Sequence, residues 1–317
     1  MYSICWKGEM NTMSRQGNEG EAGTVPKLNN GGKIRWINTA GFEIVMSNGK
    51  HILLDPFLSG EVDGVVCHPM DIEAIERCDY LFLSHIHIDH AADVARIQKK
   101  FPEVILFVGD LSADPLCQWQ DINCARIFRV RSSEVYEMDD LKVEVFAGRH
   151  TESPRGYYRA GRKFRNPDGS LSLSDWYGNL ELNNYRLTLC DGTRIMVWAG
   201  MTSPDQKNRL RGIRSDISLM HVSPKQDFRE FAELVEAMGT KIVVPHHYDF
   251  TEGFFRMVPE AMKDMSEENQ KVFIEDGVFR MDKYLRALGN AVREQSPSTE
   301  LMMLEHHRWY DFGFALS

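Results

Sequence analysis

The stretch LSHIHIDHAAD, residues 83–93, places four side chains of metal-ligand type within six positions, namely His85, His87, Asp89 and His90. The preceding run YLFLS is typical of a buried strand, and the following run AADVARIQKK has helical spacing. We therefore expect the four side chains on the loop at the carboxyl end of a strand, where α/β proteins place their ligand sites. Imidazole and carboxylate groups bind zinc and related ions well, so the pattern predicts a metal site rather than a set of surface histidines.

Composition sets the broad class of the protein. The chain has 317 residues, 43% hydrophobic and 26% charged, which is enough for a large buried core. It has no apolar run of the roughly 18 residues that a membrane span needs and no apolar N-terminal signal segment, so we expect a cytoplasmic protein. The six cysteines lack a CxxC motif, which favours reduced thiols. A net charge of −9 argues against a nucleic-acid partner.

Strand-like and helix-like segments alternate along most of the chain. KIRWI, FEIVM and HILLD are short strand patterns, and an Asn-Gly pair between the last two indicates a hairpin. KQDFREFAELVEAM carries apolar residues at helical spacing. We expect an N-terminal tail or arm over residues 1–32 and a single α/β domain over 33–317, with an insert at about 151–184 and a C-terminal helical extension.

The HxHxDH motif resembles the signature of the metallo-β-lactamase superfamily, and other segments follow the pattern of that family in order. Asp55, which ends HILLD, is similar to the family's early aspartate, a group that orients the metal ligands. His150 in AGRH is similar to the third histidine of the first metal, and His247 in VVPHHYDF to the late histidine of the second, with His246 one residue out of register. The segments RWINTAGFEI, NYRLTLCDGTRIMVWAG and VVPHHYD most resemble the ascorbate-6-phosphate lactonase-like branch.

This resemblance implies a four-layered αββα sandwich with its metals at the edge between two sheets. It also implies one or two zinc ions, or manganese or iron, bound by two sets of side chains. Such a site suits hydrolysis of an ester, lactone, amide or phosphodiester. Asp89 has the alternative role of orienting or deprotonating the attacking water. The two implied ligand sets are His85, His87 and His150, and Asp89, His90 and His247.

One position departs from the family pattern. Where the family usually has Gly-Asp-Thr, whose aspartate bridges two metals, this sequence has Gly200, Met201 and Thr202. Met201 therefore marks the position of the missing bridging ligand, and Asp205 is the nearest alternative carboxylate. We expect the second metal to be held more weakly than the first.

Substrate contacts are predicted from two segments. The region expected as an insert is rich in basic and aromatic residues, and Arg159 and Arg162 within it fit either an anion clamp or a solvated loop. His221, at the end of ISLM, fits either the metal cavity or a packed or exposed position outside it. Three further histidines are assigned to the surface or to packing, namely His68, His306 and His307.

The favoured function is a metal-dependent hydrolase that acts on a small anionic ester, lactone or phosphoester. One alternative is a non-catalytic metal-binding or sensing protein that has lost turnover together with the bridging aspartate. Another is a phosphodiesterase or phospholipase-type hydrolase. The aromatic C-terminal segment WYDFGF is expected to dock onto the fold or onto a second subunit of a homo-oligomer.

Overall fold

Two seven-stranded sheets form the centre of the fold. The computed structural model describes residues 2–4, 31–62, 65–150, 181–201 and 204–316. The first sheet has the spatial order β14-β1-β2-β3-β4-β5-β6, in which the first three pairings are antiparallel and the last three are parallel. Its strands are β1 (Gly32–Trp36), β2 (Phe42–Val45), β3 (His51–Leu54), β4 (Tyr80–Phe82), β5 (Ile105–Gly109), β6 (Ile127–Val130) and β14 (Trp309–Phe312).

The second sheet repeats this pattern of pairings. Its order is β7-β8-β9-β10-β11-β12-β13, again with three antiparallel pairings followed by three parallel ones. The strands of this sheet are β7 (Val135–Glu137), β8 (Leu141–Ala147), β9 (Asn183–Leu189), β10 (Arg194–Trp198), β11 (Ile217–His221), β12 (Ile242–His246) and β13 (Glu300–Leu301). Short antiparallel pairs also join Glu61–Val62 to Val65–Val66, Ile274–Glu275 to Val278–Phe279, and Tyr2–Ile4 to Phe314–Leu316.

Helices cover the outer face of each sheet. The first sheet is covered by α1 to α3 and the second by α5 to α8, so the prediction of a four-layered αββα sandwich is confirmed. The described helices are α1 (Ile88–Ala91), α2 (Val94–Lys100), α3 (Asp110–Trp119), α4 (Pro204–Leu210), α5 (Phe228–Ala237), α6 (Tyr248–Met257), α7 (Glu267–Phe273) and α8 (Met281–Gln295). None of these helices is long and apolar enough to cross a lipid bilayer.

The alternation of side chains along each strand explains why each sheet packs against the other sheet on one face and against helices on the other. In a strand, successive side chains point to opposite faces, so each central strand can supply two cores. In β3, Ile52 and Leu54 face the core between the sheets, whereas Leu53 packs beneath the helices of the first sheet. In β10, Val197 faces the inner core and Trp198 packs against the helices of the second sheet.

The structure corrects the expected position of the motif. Asp89 and His90 were expected on a loop but lie in α1, whose backbone bonds include that from the Ala91 N–H to the His87 carbonyl, at 2.9 Å. Ile88 and Ala91 are buried beneath the first sheet, and this burial favours the early helical turn. Only His85 and His87 therefore lie on the loop.

Three boundaries also differ from the sequence prediction. Tyr2–Ile4, within the expected tail, pairs with a C-terminal strand, and the first sheet begins at Gly32. The expected insert ends earlier than 184, because Asn183 already pairs with Ala147 of β8. The C-terminal extension is helical only in part, because the chain returns after α8 as β13 and β14. Most of the insert, residues 151–180, lies outside the described residues and includes Arg159 and Arg162.

Candidate metal centre

Five strand ends bring the predicted site residues to one edge of the sandwich. In the first sheet, Asp55 follows β3 and the HxHxDH motif follows β4. In the second sheet, His150 follows β8, His221 ends β11 and His247 follows β12. The ligands thus come from the carboxyl ends of strands in both sheets, where α/β folds usually place their sites.

The first ligand group contains His85, His87 and His150. One ligand atom from each lies within 4.8 Å of the other two. The atoms Nε2 of His85 and Nδ1 of His87 are 3.1 Å apart. Two nitrogens bound to one tetrahedral zinc at about 2.1 Å would be roughly 3.4 Å apart, so the observed spacing fits a shared ion. Burial lowers the pKa of His85 and of His87 well below the usual value, which keeps both in the neutral form that metals bind.

The second ligand group contains Asp89, His90 and His247, with the same 4.8 Å limit between ligand atoms. The atom Oδ2 of Asp89 lies 3.0 Å from Nε2 of His247 and 3.6 Å from Nε2 of His90. The other ring nitrogen of His90, Nδ1, lies 3.0 Å from the Asp55 carboxylate. Asp55 therefore fixes the orientation of the His90 ring so that Nε2 faces the other ligands.

Charge differs between the members of the second group. Burial alone would raise the pKa of Asp89, but His90 and the hydrogen bond with His247 hold the pKa of this carboxyl far below its usual range. Burial would likewise lower the pKa of His90, but the carboxylates of Asp89 and Asp55 raise it above the usual value. The group is therefore built around an ionised carboxylate, unlike the purely nitrogen-based first group.

Two residues of the site have a left-handed backbone. His247 has φ of 70° and Asp55 has φ of 37°. Such conformations cost energy for residues other than glycine and are often found at functional sites. The His247 N–H donates to the Thr39 carbonyl at 3.0 Å, and the Asp55 carboxylate accepts from the Ser84 N–H at 2.7 Å and the Ser84 hydroxyl at 2.6 Å. These bonds hold both turns in place.

A close backbone contact places His150. The residue before it, Arg149, accepts a hydrogen bond from the Met201 N–H at 2.8 Å. A Cβ at Gly200 would lie only 2.4 Å from the Arg149 carbonyl oxygen, so this approach requires glycine. The segment after β10 thus supports the His150 loop through its backbone.

Both groups open into one cavity of about 330 Å³. All six ligands and His221 contribute to its surface. Asp89 is the one carboxylate among the described residues of its wall. The other described residues of the wall are mostly apolar, and most of them come from the α6 region, α1 and the segment after β11. They are Val65, Ile88, Ala199, Val222, Ser223, Pro224, Lys225, Phe250, Thr251, Phe254, Phe255, Met257 and Val258.

Comparisons with known proteins find similar sequences and similar folds. The family model described as the metallo-beta-lactamase superfamily matches residues 42–110, which include the HxHxDH motif. A UPF0173 metal-dependent hydrolase of Thermoplasma volcanium is 27% identical over 226 residues, which cover 67% of this chain and 95% of that protein. Together, these matches support membership of the metallo-β-lactamase superfamily.

Solved structures show the same superfamily fold. Igni18, described as a novel metallo hydrolase of Ignicoccus hospitalis, has a TM-score of 0.56 at 13% identity and covers 90% of this chain and 99% of its own. The metallo-beta-lactamase fold protein YhfI of Bacillus subtilis has a TM-score of 0.52 at 12% identity and covers 88% and 98%. UPF0173 hydrolases of Koribacter versatilis and Polynucleobacter asymbioticus are 31% and 36% identical, but the chain spans only 33% and 24% of their length. Resemblance to the lactonase-like branch stays a prediction.

The departure of this chain from the Gly-Asp-Thr pattern has a structural counterpart. Met201 lies in a separate cavity, beside Lys225 and Asp227, and not among the residues that line the histidine cavity. Asp205 is exposed on α4 and does not line the histidine cavity either. Position 201 therefore has no carboxylate, and the carboxylate of Asp205 does not lie between the two ligand groups in this structure.

Two of the remaining histidines, His246 and His306, pack against aromatic rings outside the ligand groups. His246 is buried and packs edge-on against Phe42, with ring centroids 5.4 Å apart, and does not line the cavity. His306 is stacked between Trp36 and His68, with ring centroids 3.8 and 3.6 Å away. These contacts agree with the packing role expected for His68 and His306.

Sequence reasoning missed two parts of the site. Ser84, which donates to Asp55 and lies 3.0 Å from Nδ1 of His85, was not singled out, although it directly precedes the motif. Helix α6 was not predicted, although Phe250 and Phe254 are four residues apart and so share a helical face. This face supplies much of the apolar wall.

Proposed function

We propose that this protein is a hydrolase that uses two divalent metal ions, zinc being the first candidate, to cleave an ester or lactone with an apolar group beside the reacting bond. The observation that carries the proposal is that two complete three-ligand groups share one cavity. His85, His87 and His150 would hold one ion, and Asp89, His90 and His247 the other. Bound divalent ions polarise the bond to be cleaved and lower the pKa of water towards about 7.

Asp89 is proposed as a ligand and hydrogen-bond acceptor rather than as the base. A carboxyl whose pKa lies far below its usual range is a weak proton acceptor at neutral pH. Its short contact with Nε2 of His247, at 3.0 Å, joins the two sheets at the point where substrate would enter. Asp55 and Ser84 would keep the His90 and His85 rings in their binding orientations.

The wall of the cavity supports the choice of substrate. Phe250, Phe254 and Val258 of the α6 region form an apolar surface beside the ligands, and Lys225, the described basic residue of the wall, is paired with Asp264 at 2.7 Å. A cavity of about 330 Å³ lies at the small end of ligand pockets, which span roughly 300–1,000 Å³. A short acyl chain or aryl group therefore fits this wall. Contact of an anionic group with Arg159 and Arg162 stays a prediction.

The test is hydrolysis of p-nitrophenyl esters from acetate to octanoate by metal-free and zinc-reconstituted protein. We expect activity only in the reconstituted protein, with kcat/KM rising with chain length. Phe254→Ala should reduce the preference for longer chains by roughly tenfold, since each methylene in a fitted pocket contributes about 1–3 kcal/mol. Phe228→Ala is the matched control, because Phe228 lies on α5 and lines the other cavity. Protein that binds two ions but hydrolyses neither these esters nor lactones would favour the non-catalytic alternative.

A further inference from the structure

His221 faces the ligand cavity from the middle of the second sheet. It is the last residue of β11, in which Ile217 and Leu219 belong to the core between the sheets. Side chains two positions apart lie on the same face of a strand, so His221 continues this inner face to the edge where the ligands meet. Its side chain is 8% exposed and forms part of the wall of the ligand cavity.

The ring of His221 lies closer to His247 than the ring of His90 does. Its centroid is 4.8 Å from that of His247, whereas the centroids of His90 and His247, two members of the second group, are 5.5 Å apart. His221 itself is outside both three-residue groups. Its Nδ1 atom is buried and has no hydrogen-bond partner among the residues that the structure describes. A buried polar atom without a partner is unfavourable, so this nitrogen is suited to receive a ligand.

The neighbouring strand leaves room for an imidazole. Trp198 of β10 pairs with Met220 of β11, so Ala199 comes level with His221, and its methyl group also lines the cavity. Met201, two residues after Ala199, does not compete for this space, because it lines the other cavity. In the described part of the wall, this place offers the imidazole nitrogen of His221 and no carboxylate.

We propose that His221 is an additional ligand of the second metal ion, beside Asp89, His90 and His247. The proposal rests on the proposed function, because it assumes that this group binds an ion. With His221 the second group becomes a four-ligand set with three imidazoles and one carboxylate. Imidazole ligands favour zinc, cobalt and nickel over magnesium and manganese, so the second ion should be drawn from the former metals.

The direct test counts imidazole ligands in the intact protein. Protein labelled with ¹⁵N-histidine and loaded with ¹¹³Cd²⁺ shows a scalar coupling for each ring nitrogen that binds cadmium. Of the eleven histidines, we expect six to be coupled, namely His85, His87, His90, His150, His221 and His247. The sixth coupling should disappear in both His221→Phe and His221→Gln. Five couplings in the wild-type protein would overturn the proposal, and fewer than five would overturn the proposed ligand groups as well.

A second test measures how tightly the weaker ion is held. In competition with a chelator for Co²⁺, His221→Phe should bind the weaker ion at least about tenfold less tightly than wild type, whereas His221→Asp, which keeps a ligand, should not. The control is His51→Phe, since His51 lies at the opposite end of β3 and is hydrogen-bonded to Glu43 at 2.8 Å. Equal Co²⁺ affinity of wild type and His221→Phe would contradict the proposal. Failure of His221→Phe to fold would leave the count of cadmium couplings in the wild-type protein to decide.

Discussion

The two ligand groups are built in the same way, but they differ in how the surrounding protein keeps their side chains in the form and position that bind metal. Each takes ligands from both sheets: His87 and His150 in the first group, Asp89 and His247 in the second. In the first group, burial lowers the pKa of His85 and of His87 and keeps these two imidazoles unprotonated. The second combines an ionised carboxylate with a histidine whose far nitrogen contacts Asp55. Metal binding by the first group therefore depends on burial and on the spacing of its nitrogens, whereas metal binding by the second group depends on the charge of its carboxylate.

The largest effect on metal content and on ester hydrolysis should come from substitution of ligands in the first group. The double variant His85→Ala, His87→Ala takes away two of three ligands, so we expect it to lose the first ion and to hydrolyse esters no faster than metal-free protein. Elemental analysis and the ester assay measure this. His68→Ala, an exposed histidine outside the cavity, should retain both properties. Full activity in the double variant would refute the assignment of the first group.

A selective effect on the second group should follow from Asp55→Asn. The amide cannot supply the negative charge that faces His90, so the second ion should bind about 10–100-fold more weakly. Titration with Zn²⁺ against a chelator measures both ions separately. Asp216→Asn is the matched control, because Asp216 is equally buried in the second sheet but is paired with Arg194 and Lys241. An equal loss of affinity for the two ions would contradict the conclusion that Asp55 supports the second group selectively.

The opposite end of the sandwich joins the sheets without a metal. There the Asp140 carboxylate accepts from Lys50 at 2.7 Å and from the Tyr80 hydroxyl at 2.7 Å. Burial alone would raise the pKa of Asp140, but these two hydrogen bonds lower it below its usual value. A carboxyl with a lowered pKa in the folded state stabilises the fold at neutral pH and loses this contribution as the pH falls through that pKa.

Asp140→Asn should therefore reduce the free energy of unfolding by about 1–2 kcal/mol at pH 7. The difference from wild type should shrink as the pH falls through the lowered pKa of Asp140. Urea unfolding at several pH values measures it, with the metal content checked at neutral pH and expected to be unchanged. A difference that does not depend on pH would mean that the carboxylate charge is not the source of the stabilisation.

The smallest effect is expected at Met201. Its side chain lies in the other cavity and its backbone N–H supports the His150 loop, so Met201→Asp should leave the number of retained ions unchanged after dialysis against a weak chelator. A rise in retained metal would show that position 201 can reach the ligands, and that the site differs from the geometry described above.

The local sequence pattern predicted many of the strands and part of the site, because these features depend on residues that are close together in the chain. Alternation of apolar residues predicted the strands, and the spacing within HxHxDH predicted that His85, His87, Asp89 and His90 would lie together. Features that depend on distant packing were not predictable in this way. The early start of α1 reflects burial of Ile88 beneath the first sheet.

The position of His221 depends on the same kind of distant packing. Whether its ring enters the cavity is decided by the small residue Ala199 on the neighbouring strand and by the location of His247. The separate position of Met201 likewise follows from the backbone contact with Arg149. No short sequence window contains these relations.

We propose that two metal ions bind in one cavity, each held by ligands from both sheets. Anomalous diffraction at the zinc absorption edge, from crystals of zinc-reconstituted protein, tests it most directly. We predict two peaks in the cavity, one within reach of His85, His87 and His150 and the other within reach of Asp89, His90 and His247. No peak in the cavity, or a single peak that contacts neither complete group, would contradict this account.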